Sequence, residues 1–590
     1  MTRIRIAIML LIGLMGCAQA WSIPAKRIPF TVTNSDGTVL TLVLCGDESY
    51  HFFTTTDGVP AVKGEDGDWQ LKPEWTDSLH QTWLERNQRR NARRIERAER
   101  RRAQRVPFGQ SSYVTGQKKG IVILINFPDL SMKSNHTKAV FEDMFNKVGY
   151  TEDNHYGSVH DYFYDQSYGQ LDLTFDIFGP VTATESYKYY GANDVNGNDM
   201  RVATLTAEIC KTADKECDIN WSDYDWDGDG EVDQVYIIYA GVGEAESWEE
   251  DRIWPHEWTL DEGLEEGDGD GSFTLDGVTI NTYAMSDELP NSQTSKKLNG
   301  IGTACHEFSH CLGLPDLYDI SYNGGYGMGS WDIMSGGNYN GYNYHGECPP
   351  GYTAYERWFT GWLDLTELKE ATTITGMPDL QDEPVAYIIR NDGNNDEYFI
   401  LENRQAKGWY AYTEDVTGSH GMLVCHVDYN KNAWKNNNVN AKAKHQRMTI
   451  IPAAGVYGTL MGEPNNMYYV VTADQYHSQL FPGSDSITVL DNDSHKDCGG
   501  TLFSKNTDGT YLMNKPITDI TEQDGLISFK FMGGGDPVAI RDITANPSTA
   551  TDGKQAPTAY YTLQGIKVDA PQSGIYIIKE GNSSRKIVIP

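Results

Sequence analysis

The chain has 590 residues, 39% of them hydrophobic and 11% aromatic, and a formal net charge of −35. That length suggests roughly three or four domains with sizeable cores, and plentiful Gly and Tyr suit a loop-rich, β-rich extracellular protein. The acidic balance excludes nucleic acid as a natural partner and fits calcium use and high solubility better.

Residues 1–20 read as a secretory signal: Arg3 and Arg5, an apolar run from Ile6 to Leu14, then the small-residue site Ala18, Gln19, Ala20. Leu14-Met15-Gly16-Cys17 offers a rival lipoprotein signal, in which Met15 fits poorly, so cleavage after Ala20 is expected. No other apolar run is long enough to span a bilayer. An exported protein without a transmembrane segment is therefore expected. Beyond the signal lie Cys45, Cys210, Cys217, Cys305, Cys311, Cys348, Cys425 and Cys498. An oxidising compartment permits disulfides among them, with Cys305 and Cys311 candidates to tie their helix to the loop of Cys348.

Residues 21–107 read as a propeptide. A β-rich unit begins it, with alternating apolar residues from Thr31 to Leu44 around the Asp36-Gly37 turn. An arginine-dense segment, Arg86 to Arg105, follows and has the look of a trypsin-like processing site. Cys45 could block a metal as a thiolate, although a buried structural cysteine is the better expectation.

Residues 108–370 alternate strand and helix signals. Gly120 to Phe127 is a continuous apolar run suited to a buried strand. Ser158 can cap a helix running through His160 to Gln166 and ended by Gly169, Leu171 to Phe178 alternates as a strand, Met200 to Asp214 has helical spacing, and Gln234 to Ala240 is another strand. Between the last two lie Asp225, Asp227, Asp229 and Asp233, separated by Trp226, Gly228 and Gly230. Carboxylates at alternate positions followed by Gly open a calcium loop. Tyr236 stands where an EF-hand has its bidentate Glu, so a partial, structural calcium site is expected. Asp268 to Gly271 is a weaker acidic turn expected to be solvated, and His256 a satisfied structural histidine.

Thr303 to Asp319 carries H-E-F-S-H-C-L-G-L-P-D, with His306, Glu307 and His310. Residues four apart on a helix share a face, so the two imidazoles can converge on one zinc ion. Glu307 is then placed to take a proton from a bound water. Gly313 allows a sharp turn at the helix end that can return Asp316 as third ligand, with Asp319 as the nearby alternative. Met334, in G-S-W-D-I-M-S-G-G, stands as the turn that floors metzincin sites. A gluzincin would use a downstream Glu instead, Glu347 or Glu356; the Gly313 and Met334 pattern argues against it.

After Trp362 the signals become short strands separated by Asn, Asp and Gly, which predicts an all-β accessory region over 371–535. Within it Asn430 to Asn440 reads as a long exposed loop. Residues 536–559 form a linker rich in Gly, Pro, Ser and Thr, and 560–590 a small β unit. The fold class expected is α+β: a catalytic domain with a mixed sheet and a zinc-binding helix, followed by two β regions.

These motifs resemble the immune inhibitor A family of secreted bacterial zinc metallopeptidases. The resemblance rests on G-S-V-H-D-Y-F-Y-D-Q-S-Y-G, the D-x-D-G-D-G-E-V-D loop, I-W-P-H-E-W, L-G-L-P-D-L-Y-D, G-S-W-D-I-M-S-G-G, E-Y-F-I-L-E-N-R and G-M-L-V-C-H-V-D, across about residues 110–490. It implies a metzincin-like domain with zinc on His306 and His310, Glu307 as general base, Asp316 as third ligand, and protein or peptide substrates. Gly336 stands where some metzincins carry an oxyanion-stabilising Tyr, leaving Tyr339 or Tyr342 as candidates. The tail, with G-I-Y-I-I and a basic end, is similar to C-terminal sorting domains of the type IX secretion route in Bacteroidetes. The competing functional reading is a cell-surface protein- or glycan-binding protein whose metal site is structural or vestigial.

Overall fold

A computed structural model describes residues 29–73, 114–494 and 514–535, apart from short internal stretches, together with strand backbones between 537 and 589. The expected signal segment 1–20 and the arginine-dense segment 86–105 lie outside the described residues. No helix among those described is long and apolar enough to cross a membrane.

Five strands, β1 (Phe30–Thr33), β2 (Val39–Asp47), β3 (Tyr50–Thr55), β4 (Pro60–Lys63) and β5 (Trp69–Leu71), form an antiparallel meander in sequence order. Asp36 and Gly37 make the first hairpin turn, where Gly37 takes φ 86°. The sheet packs Leu42, Leu44, Phe53, Ala61 and Trp69 against Ala245 and Trp254 of the next unit. His51 reinforces that contact, stacking on Trp254 at 4.1 Å and pairing with the buried Glu244 at 3.1 Å.

The central sheet has the order β7-β6-β8-β12-β9. Here β6 is Gly116–Asn126, β7 Leu171–Thr182, β8 Val235–Val242, β9 His256–Thr259 and β12 Thr282–Leu289, with a hairpin of β10 (Phe273–Leu275) and β11 (Val278–Ile280) beside them. Pairings among β7, β6, β8 and β12 are parallel, and β9 runs antiparallel at the edge. The continuous apolar run of β6 follows from burial on both faces. Ile121, Ile123 and Ile125 point into one core with Leu205 and Ile209 of helix α3 (Val202–Glu216). Val122 and Leu124 point into the other core, with α1 (Lys138–Asn146), α2 (Val159–Gln166) and Phe308 of α5 (Gly302–Cys311). Helix α4 is Leu260–Glu266 and α6 is Ala354–Thr360.

Local chemistry sets these boundaries. Ser158 and Asp161 form a reciprocal capping box that starts α2. Asp268 accepts from the backbone N–H groups of Ala203 and Thr204 at the start of α3, at 2.7 and 3.0 Å. The expectation of a solvated turn at Asp268 is therefore corrected: its carboxylate is spent on a helix end, where unpaired N–H donors favour an anion. His256 is buried, with Nδ1 against the Trp254 carbonyl at 2.6 Å, as expected of a structural histidine.

Beyond residue 362, strands 366–367, 387–391, 394–404, 421–428 and 448–450 make a five-stranded sheet in that order. Strand 372–377 pairs instead with 526–531, which pairs with 517–523. The core against α5 runs without interruption from Val114 to Phe531, so the β-rich region shares its interior with the central sheet. The Asn430–Asn440 segment is not an exposed loop. It contains a short helix, Lys431–Lys435, and buries Trp434, Asn437, Val439 and Asn440. Its polar side chains bond to neighbouring backbone, which makes an Asn-rich stretch compatible with burial. No disulfide joins the described cysteines. Cys348 instead lies against the Gly408 carbonyl and Cys311 against that of Asp233. The C-terminal strands 558–561, 567–568, 574–580 and 583–589 form a separate antiparallel sheet.

Candidate active site

Helix α5 presents His306 and His310 one turn apart, both buried. Gly302 at its N-terminus allows the helix to touch the segment after Met334. A Cβ there would lie 1.7 Å from the Asn338 carbonyl oxygen, so only glycine fits. Gly313, at φ 83°, ends the helix with its N–H on the His310 carbonyl. The chain then doubles back and brings Asp316 beneath the two imidazoles.

Three ligand-type atoms meet there. His306 Nε2 and His310 Nε2 are 3.1 Å apart, and Asp316 Oδ1 lies 3.3 and 3.5 Å from them. A tetrahedral zinc with bonds of about 2.0–2.1 Å separates its ligands by about 3.3 Å, so the three atoms fit one such ion. The far ring nitrogens are already committed. His306 Nδ1 faces the Ile333 carbonyl and His310 Nδ1 the Leu314 carbonyl, each at 2.8 Å. Both rings thus donate from Nδ1 and turn the lone pair of Nε2 inward, the arrangement that orients metal-binding histidines. Burial acts to lower the His306 pKa, but Asp316 and Glu307 outweigh it and raise it; the cluster attracts positive charge.

Asp319 is elsewhere. Its Oδ1 accepts from the Ser321 N–H and hydroxyl and its Oδ2 from the Gly325 N–H, closing its own turn. Asp316 Oδ2, by contrast, is bonded by Asn437 at 2.5 Å. Glu347 accepts from Asn343 and the His345 N–H, and Glu356 caps α6; neither joins the histidines.

Met334 is fully buried in the turn below the site. Its N–H donates to Asp332 at 2.7 Å and its carbonyl accepts from Leu317 at 2.6 Å. Together with the Ile333 contact to His306, this turn braces both the first histidine and the loop carrying Asp316. Beneath it Asp332, Glu356, Glu402 and Arg404 form a buried charged group. Burial pushes the Asp332 carboxyl up to about 6, and burial plus the Asp332 charge push Glu356 well above the carboxylate range. Of the two tyrosines considered for the oxyanion, Tyr339 is buried near Tyr344 and Tyr342 is 61% exposed.

In the acidic loop, Asp225, Asp227 and Asp229 come together. Asp233 turns away, its Oδ2 accepting from the Trp226 N–H at 2.6 Å. Asp225 also binds its own loop, taking the N–H groups of Gly228 and Gly230 at 2.8 and 2.9 Å. Cys45 is buried in the N-terminal sheet, with its sulfur beside Thr54 Oγ1 at 3.4 Å, as the structural reading of that residue expects.

Asn437, Gly302 and the group around Asp332 were not legible as site residues. Asn437 lies more than a hundred positions from the motif it touches, within an Asn-rich stretch, and nothing local marks it.

Residues 109–362 match the sequence model of the immune inhibitor A peptidase M6 catalytic domain. Over 289 residues, 41% of this chain, it is 28% identical to the pre-pro-metalloprotease PrtV of Vibrio cholerae serotype O1. Over 235 residues, 35% of the chain, it is 27% identical to immune inhibitor A of Bacillus thuringiensis subsp. alesti. These alignments span 30% and 33% of the relatives' own lengths. Over residues 109–362 the chain is thus similar to metallopeptidase catalytic domains of the immune inhibitor A type.

Proposed function

We propose that the protein is an exported zinc endopeptidase that hydrolyses peptide bonds of extracellular proteins. The observation that carries this reading is the convergence of His306 Nε2, His310 Nε2 and Asp316 Oδ1 at tetrahedral spacing, with both Nδ1 atoms held by carbonyls. His306, His310 and Asp316 hold the zinc, and Met334 forms the floor. Zinc, when bound, supplies Lewis acidity, polarising the scissile carbonyl and easing ionisation of water. Glu307, buried beside the first ligand, takes the proton from the attacking water and returns it to the leaving amine nitrogen. Buried surroundings strengthen each of these charge interactions.

In the same reading Asp225, Asp227 and Asp229 hold a structural calcium ion, with Asp233 shaping the loop from within. Residues 21–107 act as the propeptide, with its sheet docked on Trp254 and Glu244, and the C-terminal sheet serves sorting of the type IX kind.

Glu307→Gln tests the central claim on casein or gelatin. The expected outcome is unchanged zinc content with turnover reduced by at least about 100-fold. Zinc bound with no cleavage by the wild-type chain, once freed of residues 21–107, would favour a binding protein instead.

A further inference from the structure

The third corner of the metal site is closed by a residue from outside the matched catalytic segment. Asn437 follows the helix Lys431–Lys435, has φ 47° and is 1% exposed. Its carboxamide grips Asp316 twice: Oδ1 accepts from the Asp316 N–H at 2.7 Å, and Nδ2 donates to Asp316 Oδ2 at 2.5 Å. The other carboxylate oxygen, Oδ1, is the one facing His306 and His310. Three residues on, Asn440 donates to both the Leu317 and Met448 carbonyls, at 2.7 and 2.6 Å. Gln446 accepts from the Gly327 N–H at 2.5 Å. The segment 437–446 thus straps the loop 316–327 to the β-rich sheet.

We propose that Asn437 is a positioning residue for the third metal ligand, and that the β-rich region is an integral wall of the metal centre rather than an appended module. The proposal rests on the zinc reading of the site. A carboxylate left to itself can bind a metal through one oxygen, through both, or turn aside. A fixed donor on Oδ2 sets its rotation and leaves Oδ1 as the single metal-facing atom. The amide at 437 accepts from the Asp316 N–H and donates to its carboxylate at once. Aspartate there would set a second negative charge against Oδ2.

The test is a double-mutant cycle in the full chain, with zinc affinity read by competition against a chromophoric chelator. Asn437→Ala should weaken zinc binding by about 10- to 100-fold, the usual effect of losing an outer partner of a ligand. In an Asp316→Ala background the same change should have almost no further effect, because the ligand it orients is gone. Equal weakening in both backgrounds would mean general structural damage and would overturn the proposal. Unchanged affinity in Asn437→Ala, where Asp316→Ala weakens binding, would overturn it while leaving the metal site standing. If Asp316→Ala itself leaves zinc affinity unchanged, the zinc reading fails first. Should Asn437→Ala not fold, the near-isosteric Asn437→Leu, which neither donates nor accepts, is read in the same way. With saturating zinc, kcat should fall in either variant while KM stays near wild type, since substrate contacts are untouched.

Discussion

Two clusters among the described residues have metal-ligand chemistry, and they are built on opposite principles. At the histidine site every group is buried, each ring is oriented by a backbone carbonyl, and three ligand atoms from two ends of one loop face a common point. In the acidic loop all three carboxylates come from five consecutive residues, are partly or fully exposed, and already bind the loop's own N–H groups. An exposed loop of this kind can relax into solvent without an ion. A buried pair of imidazoles and a carboxylate cannot be hydrated in that way. Preorganisation is what separates a site suited to chemistry from one suited to bracing a turn.

The largest effect should come from breaking the buried site. His306→Ala is expected to lower zinc affinity more than about 100-fold and abolish peptide hydrolysis. Any calcium-dependent rise in thermal midpoint should survive, since distant sites act independently; metal analysis and thermal unfolding with and without calcium check both halves. If the calcium response vanishes too, the two clusters are coupled and the contrast is wrong.

Asp225→Ala addresses the exposed loop. Calcium at about 100 times its Kd should stabilise the wild type by about 2.7 kcal/mol, a rise of several degrees in midpoint. The variant should lose that increment and keep its zinc. A wild-type midpoint indifferent to calcium would reduce the loop to an acidic turn.

A smaller effect is expected under the Met334 turn, where burial has been imposed on carboxylates without a metal. Asp332 and Glu356 hold their protons more tightly in the folded chain than in the unfolded one. Stability is therefore lost as pH rises from the ordinary carboxylate range, about 4, through about 6 for Asp332 and further for Glu356. Glu356→Gln removes one of the two groups that must ionise in the buried site and keeps an acceptor for the Thr353 N–H. Relative to wild type it should gain stability as pH rises from 5 to 8. Urea unfolding across that range, with chelator present to remove metal linkage, would detect the difference; a parallel pH profile would refute it.

Much of the candidate metal site was readable because its chemistry is local. The i, i+4 histidines, the intervening Glu, the helix-ending Gly and the returning Asp sit within eleven residues, and the helical period and one left-handed turn bring them together. The alternation of Ile121, Val122, Ile123 and Leu124 between two cores is equally local, because a strand has only two faces. Asp268 and Asn437 resisted such reading for one shared reason. An acidic turn and an Asn-rich stretch look solvated until one knows which distant N–H groups await them, at the start of α3 and on the loop of Asp316.

The amino-acid sequence by itself determined which side chains can hold a metal, which carboxylate stands beside them, and which segments form strands and helices, since spacing and backbone preference act over a few residues. Only the tertiary structure set Asp316 rather than Asp319 beside the histidines, turned Asp233 out of the acidic cluster, and put the β-rich region against the histidine cluster. Those choices depend on hydrogen-bond partners supplied from up to 123 positions away, and a buried polar group goes where its partner is.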